Sequence, residues 1–208
     1  LMIVGVAIFS FFAAKIMSRI GRKAGFLYAA LFSTLSVLLA AYAVWDKSFY
    51  LFCLACFFIG NGMAFTHQYR FAAAESVEKS FIPKALSIIM LATIFSALLG
   101  PNIANFNKDL INGHLFVGSY LSLAVLTFIP VIFLSFYSPK AEPARDKEYM
   151  GRGYFELISQ PRFLQAVASA AFAYAVMSFL MTATPINMHL TENYSLNKTG
   201  TVIQLHIV

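Results

Sequence analysis

The sequence predicts an all-α integral membrane protein, a bundle of helices that crosses a bilayer several times. Three observations predict it. Only 12% of the 208 residues are charged and 60% are hydrophobic, whereas a soluble domain of this size carries about 25% charge. Uncharged runs long enough to span about 30 Å of hydrocarbon recur along the chain. Of the 15 lysines and arginines, 12 fall in one alternate set of connections between those runs. No alternating strand pattern is present, and lipid tolerates no exposed irregular backbone, so helices are the spanning structure.

Residues 1–14 are apolar but short for a span. Five uncharged runs then reach spanning length: 24–45, 48–69, 85–107, 115–139 and 163–190, the last expected to end its helix near Pro185. Residues 199–208 turn apolar again. One set of connections holds Lys15, Arg19, Arg22 and Lys23, then Arg70, Lys79 and Lys84, then Lys140, Arg145, Lys147, Arg152 and Arg162. The other set holds Lys47, Lys108 and Lys198. Positive residues stay on the inner side, which orients the first set toward the cytoplasm. The connection 138–161 carries Pro139, Pro143, Gly151, Gly153 and mixed charges. It reads as a cytoplasmic linker between a helical bundle at 1–137 and the start of a second at 162–208.

Several function classes drop out at this point. The formal charge of +6 sits in separate short loops and forms no stripe for nucleic acid. An intramembrane enzyme needs a nucleophile with a positioned base, or a metal cluster, and the spans show neither. Cys53 and Cys56 lie in an apolar run without a second ligand pair, and His67 stands alone, so no metal or cofactor is expected.

Four strings carry more. In Ala14-Lys-Ile-Met-Ser-Arg-Ile-Gly-Arg-Lys-Ala-Gly-Phe26, Gly21 permits a sharp reversal and Arg19, Arg22 and Lys23 hold the turn among headgroups. In Gln68-Tyr-Arg-Phe-Ala-Ala-Ala-Glu75, Arg70 and Glu75 are five apart, too far for a helical i,i+4 pair, so each seeks a partner on another element. Ala92, Ser96, Gly100 and Ala104 recur every fourth residue, a small stripe that lets two helix backbones approach in lipid, with Pro101 beside it. In Met177-Ser-Phe-Leu-Met-Thr-Ala-Thr-Pro185-Ile-Asn187-Met188, Thr182 and Thr184 either satisfy carbonyls released by Pro185 or face a solute path. Together with Asn61, Tyr174 and Asn102, and with Asn187 beyond the proline, they supply uncharged polar groups for a neutral or aromatic solute.

Ser18-Arg19-x-Gly21-Arg22-Lys23 resembles the loop between the second and third helices of the major facilitator superfamily. That family's pattern is Gly-x-Leu-Ala-Asp-Arg-x-Gly-Arg-Lys. Here Ser18 stands in place of the Asp and Ala14 in place of the first Gly. The resemblance implies a secondary active transporter that works by alternating access, with Glu75 pairing to Arg22 or Arg19 to close the cytoplasmic side. The family's helix-four arginine falls at Phe58, so coupling through that arginine is not implied. Gly100-Pro101-x-x-Ala104 resembles the helix-five motif of its antiporters, which implies a kinked close contact between helices two and five.

The longer strings Gly21–Phe26, Tyr69–Glu75, Phe81–Ser87, Leu180–Pro185 and Val202-Ile-Gln-x-His206 are similar to the proteobacterial branch that includes the riboflavin importers. The match is in register with helices two to eight of twelve, a partial bundle of about six spans plus the start of a seventh, with the first helix missing and the second truncated. This similarity implies a carrier in a bacterial inner membrane, surrounded by lipid. It would move a small solute, riboflavin or a related flavin, with a proton or sodium ion as the coupling partner. A drug or siderophore efflux carrier of the same superfamily, or a non-transporting membrane scaffold, are the alternatives.

Overall fold

The computed structural model describes residues 1–137 and 154–207, and every described regular element is helical. The chain forms two units, Leu1–Lys140 and Ala141–Val208. The first contains α1 (Met2–Ile20), α2 (Arg22–Trp45), α3 (Phe49–Thr66), α4 (Tyr69–Ser76), a single 3-10 turn at Lys79–Phe81, α5 (Ile82–Phe106) and α6 (Val117–Phe136). The second contains α7 (Tyr154–Ile158), α8 (Pro161–Ile186), a π turn at Asn187–Thr191 and α9 (Leu196–Ile207). Among the described residues, six helical stretches are long and apolar enough to cross a membrane.

Helix ends follow the sequence chemistry. Pro83 and Pro161 sit in the first turns of α5 and α8, where a missing N–H costs nothing. Within the spans, hydroxyls fold back on their own helix: Ser33 donates to the Ala29 carbonyl and Thr66 to that of Gly62. This is the usual way to satisfy such groups in lipid. Some boundaries differ from expectation. Residues 1–14, read as short for a span, belong to a 19-residue helix, because the helix runs through Lys15 and Arg19 to the Gly21 reversal. The run 48–69 breaks at His67 and Gln68, where the Gln68 N–H bonds three residues back to the Phe65 carbonyl. Helix then resumes to Ser76, carrying Arg70 in its first turn and Glu75 in its last. α8 passes through Pro185 and stops one residue later. Of the expected linker, residues 138–153 lie outside the described residues, and 154–158 form α7.

In the first unit α2 packs along both α3 and α6, and α1 along α3. The α1–α3 contact is backbone to backbone. A Cβ at Gly60 would stand 2.5 Å from the Met2 carbonyl oxygen and 2.7 Å from the Val6 nitrogen. Gly5 faces the Phe57 carbonyl in the same way. Small residues permit this approach, and dispersion over the joined surfaces is what holds helices together in lipid. Large side chains such as Leu35, Phe106 and Phe133 point outward, 64%, 89% and 72% exposed. In water they would form an aggregation-prone surface; facing acyl chains they are at home. The packed interior concentrates at one end, where Ala13, Met17, Phe26, Ala29, Phe65 and Ala72 are buried together with Tyr69 and Leu134 against them.

Candidate functional site

That packed interior lies beneath the α1–α2 turn. Gly21 holds φ 82°, ψ 160°, and a Cβ there would meet nothing within 4 Å. The glycine is therefore required by its left-handed backbone, with no crowding involved. α2 begins at once with Arg22 and Lys23, no acid in its first turn and no side-chain cap. Two cations at the positive end of a helix dipole are unfavourable locally, and both are met by other elements. Arg22 Nη2 donates to Glu75 Oε1 on α4 at 2.5 Å. Lys23 Nζ donates to the Ser135 carbonyl in the last turn of α6 at 2.8 Å. Ser18, in the place of the expected carboxylate, spends its hydroxyl on the Lys15 carbonyl of its own helix. Among the described residues no carboxylate pairs with Arg19 or Arg70. The turn thus gathers the ends of α1, α2, α4 and α6 at one face of the bundle. At the opposite face Trp45 at the end of α2 meets His114 of the α5–α6 connection, ring centroids 5.9 Å apart.

Between those faces α5 stands away from α2 and α3 and leaves a cleft. One cavity of about 740 Å³ is bordered by Ser33, Thr66 and Tyr69 on one side and by Ala92, Ser96 and Thr127 on the other. A second of about 680 Å³ lies against Val44, Phe52, Phe116, Ser119 and Tyr120. Gly100, Ile103, Leu123 and Leu126 line both, so the two are neighbours along α5. Every lining residue is uncharged. This combination of a large apolar wall and a few hydroxyls suits a small organic molecule without net charge.

The residues singled out from sequence fall at several separate places. The Gly100 end of the small stripe touches nothing: a Cβ there would find no atom within 4 Å, and Ala92, Ser96 and Gly100 border the cleft. A close crossing of α5 occurs at Ala104, whose carbonyl accepts the Ser119 hydroxyl of α6 at 2.5 Å. The resemblance implies a close contact between α1 and α5; the main contacts of α5 are instead with α4 and α6, and Pro101 stays inside α5. Asn61 is 1% exposed and absent from the cleft wall, its Nδ2 without a partner. Its neighbours Gly60 and Gly62 face α1 and α2, which puts Asn61 in the seam among three helices. Asn102 bonds back to the Leu98 carbonyl. In the second unit Tyr174 is half exposed on α8, and Thr182 donates to the Ser178 carbonyl instead of the Met181 carbonyl that Pro185 releases. Thr184 precedes Pro185 near the helix end, and the Asn187 carbonyl accepts the Glu192 N–H across the π turn. Among the described residues no group of three potential ligands could hold a metal ion.

Sequence reasoning missed Ser33, Thr66, Tyr69, Ser119, Tyr120 and Thr127 on the cleft. The available signal was the i,i+4 spacing of small and hydroxyl residues, Ala29/Ser33 on α2 and Gly62/Thr66 on α3.

Comparison with known proteins adds three findings. The family described as Major Facilitator Superfamily matches residues 1–206. The chain is 31% identical over 207 residues to the riboflavin transporter RfnT of Brucella anthropi, covering 98% of this chain and 52% of that protein. It is 24% identical over 218 residues to YddS of Bacillus subtilis, an uncharacterized MFS-type transporter, covering 98% of this chain and 50% of that protein. The chain therefore spans about half the length of the curated relatives it matches. No solved structure matches it.

Proposed function

Because the chain belongs to the Major Facilitator Superfamily, we propose that it is part of a secondary active transporter moving a flavin, riboflavin or a close relative, across a bacterial inner membrane. The single observation that carries the cargo is the 31% identity to a riboflavin transporter over nearly the whole chain. The uncharged cleft with its hydroxyls and aromatic walls is compatible with a neutral planar solute. The mechanism we propose is alternating access, the bundle ending at residue 137 rocking against the one beginning at 162 around a site near mid-membrane. A proton or sodium gradient would drive the cycle. No Asp, Glu, Lys or Arg occurs in α3, α5 or α6 except Lys84 in the first turn of α5, so these helices offer no acidic group for the ion.

In this reading the basic turn, with Ser18, Arg19, Gly21, Arg22, Lys23, Arg70 and Glu75, braces the cytoplasmic end of the first bundle. The Arg22–Glu75 pair keeps α2 and α4 together there while the bundle moves. The test is uptake of radiolabelled riboflavin by the full-length protein in a riboflavin-auxotrophic host. Restored growth and saturable uptake support the proposal; their absence, with the protein present in the membrane, removes flavin as cargo. Efflux is the second reading, supported by Gly100-Pro101 in α5. Preloaded cells losing label faster on expression would favour it.

A further inference from the structure

We propose that Lys23 is a positioning residue that fixes where the first bundle ends, by capping α6 at the point where the chain leaves for the second bundle. The proposal rests on the transporter reading, to which it adds a specific part. The last four carbonyls of any α-helix lack intrahelical donors. In α6 the Tyr137 N–H, just past the helix, takes the Leu134 carbonyl, and Lys23 Nζ takes the Ser135 carbonyl. The donor comes from the first turn of α2, 112 residues earlier in the chain. α2 and α6 pack along one another, so the lysine acts at the end of an already joined pair of helices.

Charge makes the contact favourable from both sides. A cation at the first turn of α2 opposes that helix's dipole, and the same cation at the last turn of α6 complements the dipole there. Lys23 is thus driven off its own helix terminus and onto its neighbour's. Arg22, one residue before, is held by Glu75 of α4. Two adjacent cations consequently tie α2 to two different helices at one face of the bundle. Lys23 acts on the helix from which the connection to the second bundle departs. If that exit frays, the swing of one bundle is passed on to the other less completely, while solute contacts deeper in the membrane are untouched.

The experiment uses the full-length protein with nitroxide labels at Ser18 and Tyr137, hydrogen exchange on the last turn of α6, and uptake kinetics. Expected for K23M is a broader label-to-label distance distribution and exchange about two- to fivefold faster at the end of α6, the range a terminal charge effect gives. The maximal uptake rate should fall with the half-saturation constant unchanged. K23R should restore all three, and E75Q should leave exchange at α6 alone. K23Q serves where K23M does not accumulate. Unchanged distances and exchange in the neutral variants would overturn the proposal. So would a changed half-saturation constant with the rate intact, or failure of K23R to rescue. Failure of the wild type to accumulate riboflavin would count against flavin as cargo, and the distance and exchange readouts would still decide the role of Lys23.

Discussion

The α1–α3 contact is the place where the fold can be broken with one methyl group. A Cβ at Gly60 would lie 2.5 Å from the Met2 carbonyl oxygen, 2.7 Å from the Val6 nitrogen and 2.9 Å from the Gly5 carbonyl carbon, all of them backbone atoms that no rotamer change can remove. Ordinary contact begins at 3.4 Å, so Gly60→Ala forces α1 back by about 0.9 Å. That retreat loosens the Phe9–Phe57 ring pair, now 5.4 Å between centroids, and should cost about 1–3 kcal/mol, as overpacking does elsewhere. Gly100→Ala is the control, because a Cβ there would meet nothing within 4 Å. Thermal unfolding of the purified full-length protein in detergent should therefore show G60A clearly less stable than wild type and G100A close to it. Equal stability of all three proteins would refute the reasoning, and with it the packing of α1 on α3.

Four further outcomes are expected. R22E or E75R should lower uptake without preventing membrane insertion, and the R22E/E75R swap should recover part of it; two normally active single variants would sink the bracing role. The stability change in those variants should stay within about 1 kcal/mol, because the Glu75 side chain is 59% exposed and such pairs are weak. Asn61→Leu should raise the unfolding temperature, since a buried unpaired amide costs about 1–3 kcal/mol; a loss of uptake with a raised half-saturation constant would instead put Asn61 on the solute path. Impermeant amine labelling of whole cells should reach Lys108 and spare Lys79, and the reverse pattern would invert the topology.

The spans were legible in the sequence because bilayer thickness sets a length that composition alone reveals. Their ends were less so. The interruption at His67 depends on one backbone hydrogen bond from Gln68, which no side chain announces. Glycine shows the same limit from another side: Gly60 and Gly100 read alike in sequence, yet one touches a neighbouring backbone and the other borders open space. Which it is depends on the rotation of an apolar helix about its axis, and a helix apolar all round carries little periodic signal. Asn61 went to the seam instead of the cleft for this reason. The Arg22–Glu75 contact was within reach because charges in sparse loops have few partners to choose from. The Lys23–Ser135 contact was not, since its acceptor is a main-chain carbonyl that every residue possesses.

Counting hydroxyls along the cleft overstates what a solute would find there. Ser33, Thr66, Thr127 and Ser119 have each committed the proton to a main-chain carbonyl, at 2.7, 2.9, 3.0 and 2.5 Å. A hydroxyl so engaged can still accept through its lone pairs but has nothing left to donate. Donors are fewer than acceptors on this wall: of its seven hydroxyls only those of Ser96, Tyr69 and Tyr120 are left to donate, whereas all seven can accept. A molecule held here would do better to bring its own N–H and O–H groups than bare carbonyls, and would lie its flat face against Phe52, Tyr120 or Tyr69. Solutes of similar shape with their N–H or O–H positions methylated should then compete poorly for uptake, whereas ring substituents that leave those donors free should be tolerated. Equal competition by the methylated and unmethylated forms would mean that the recognition lies elsewhere.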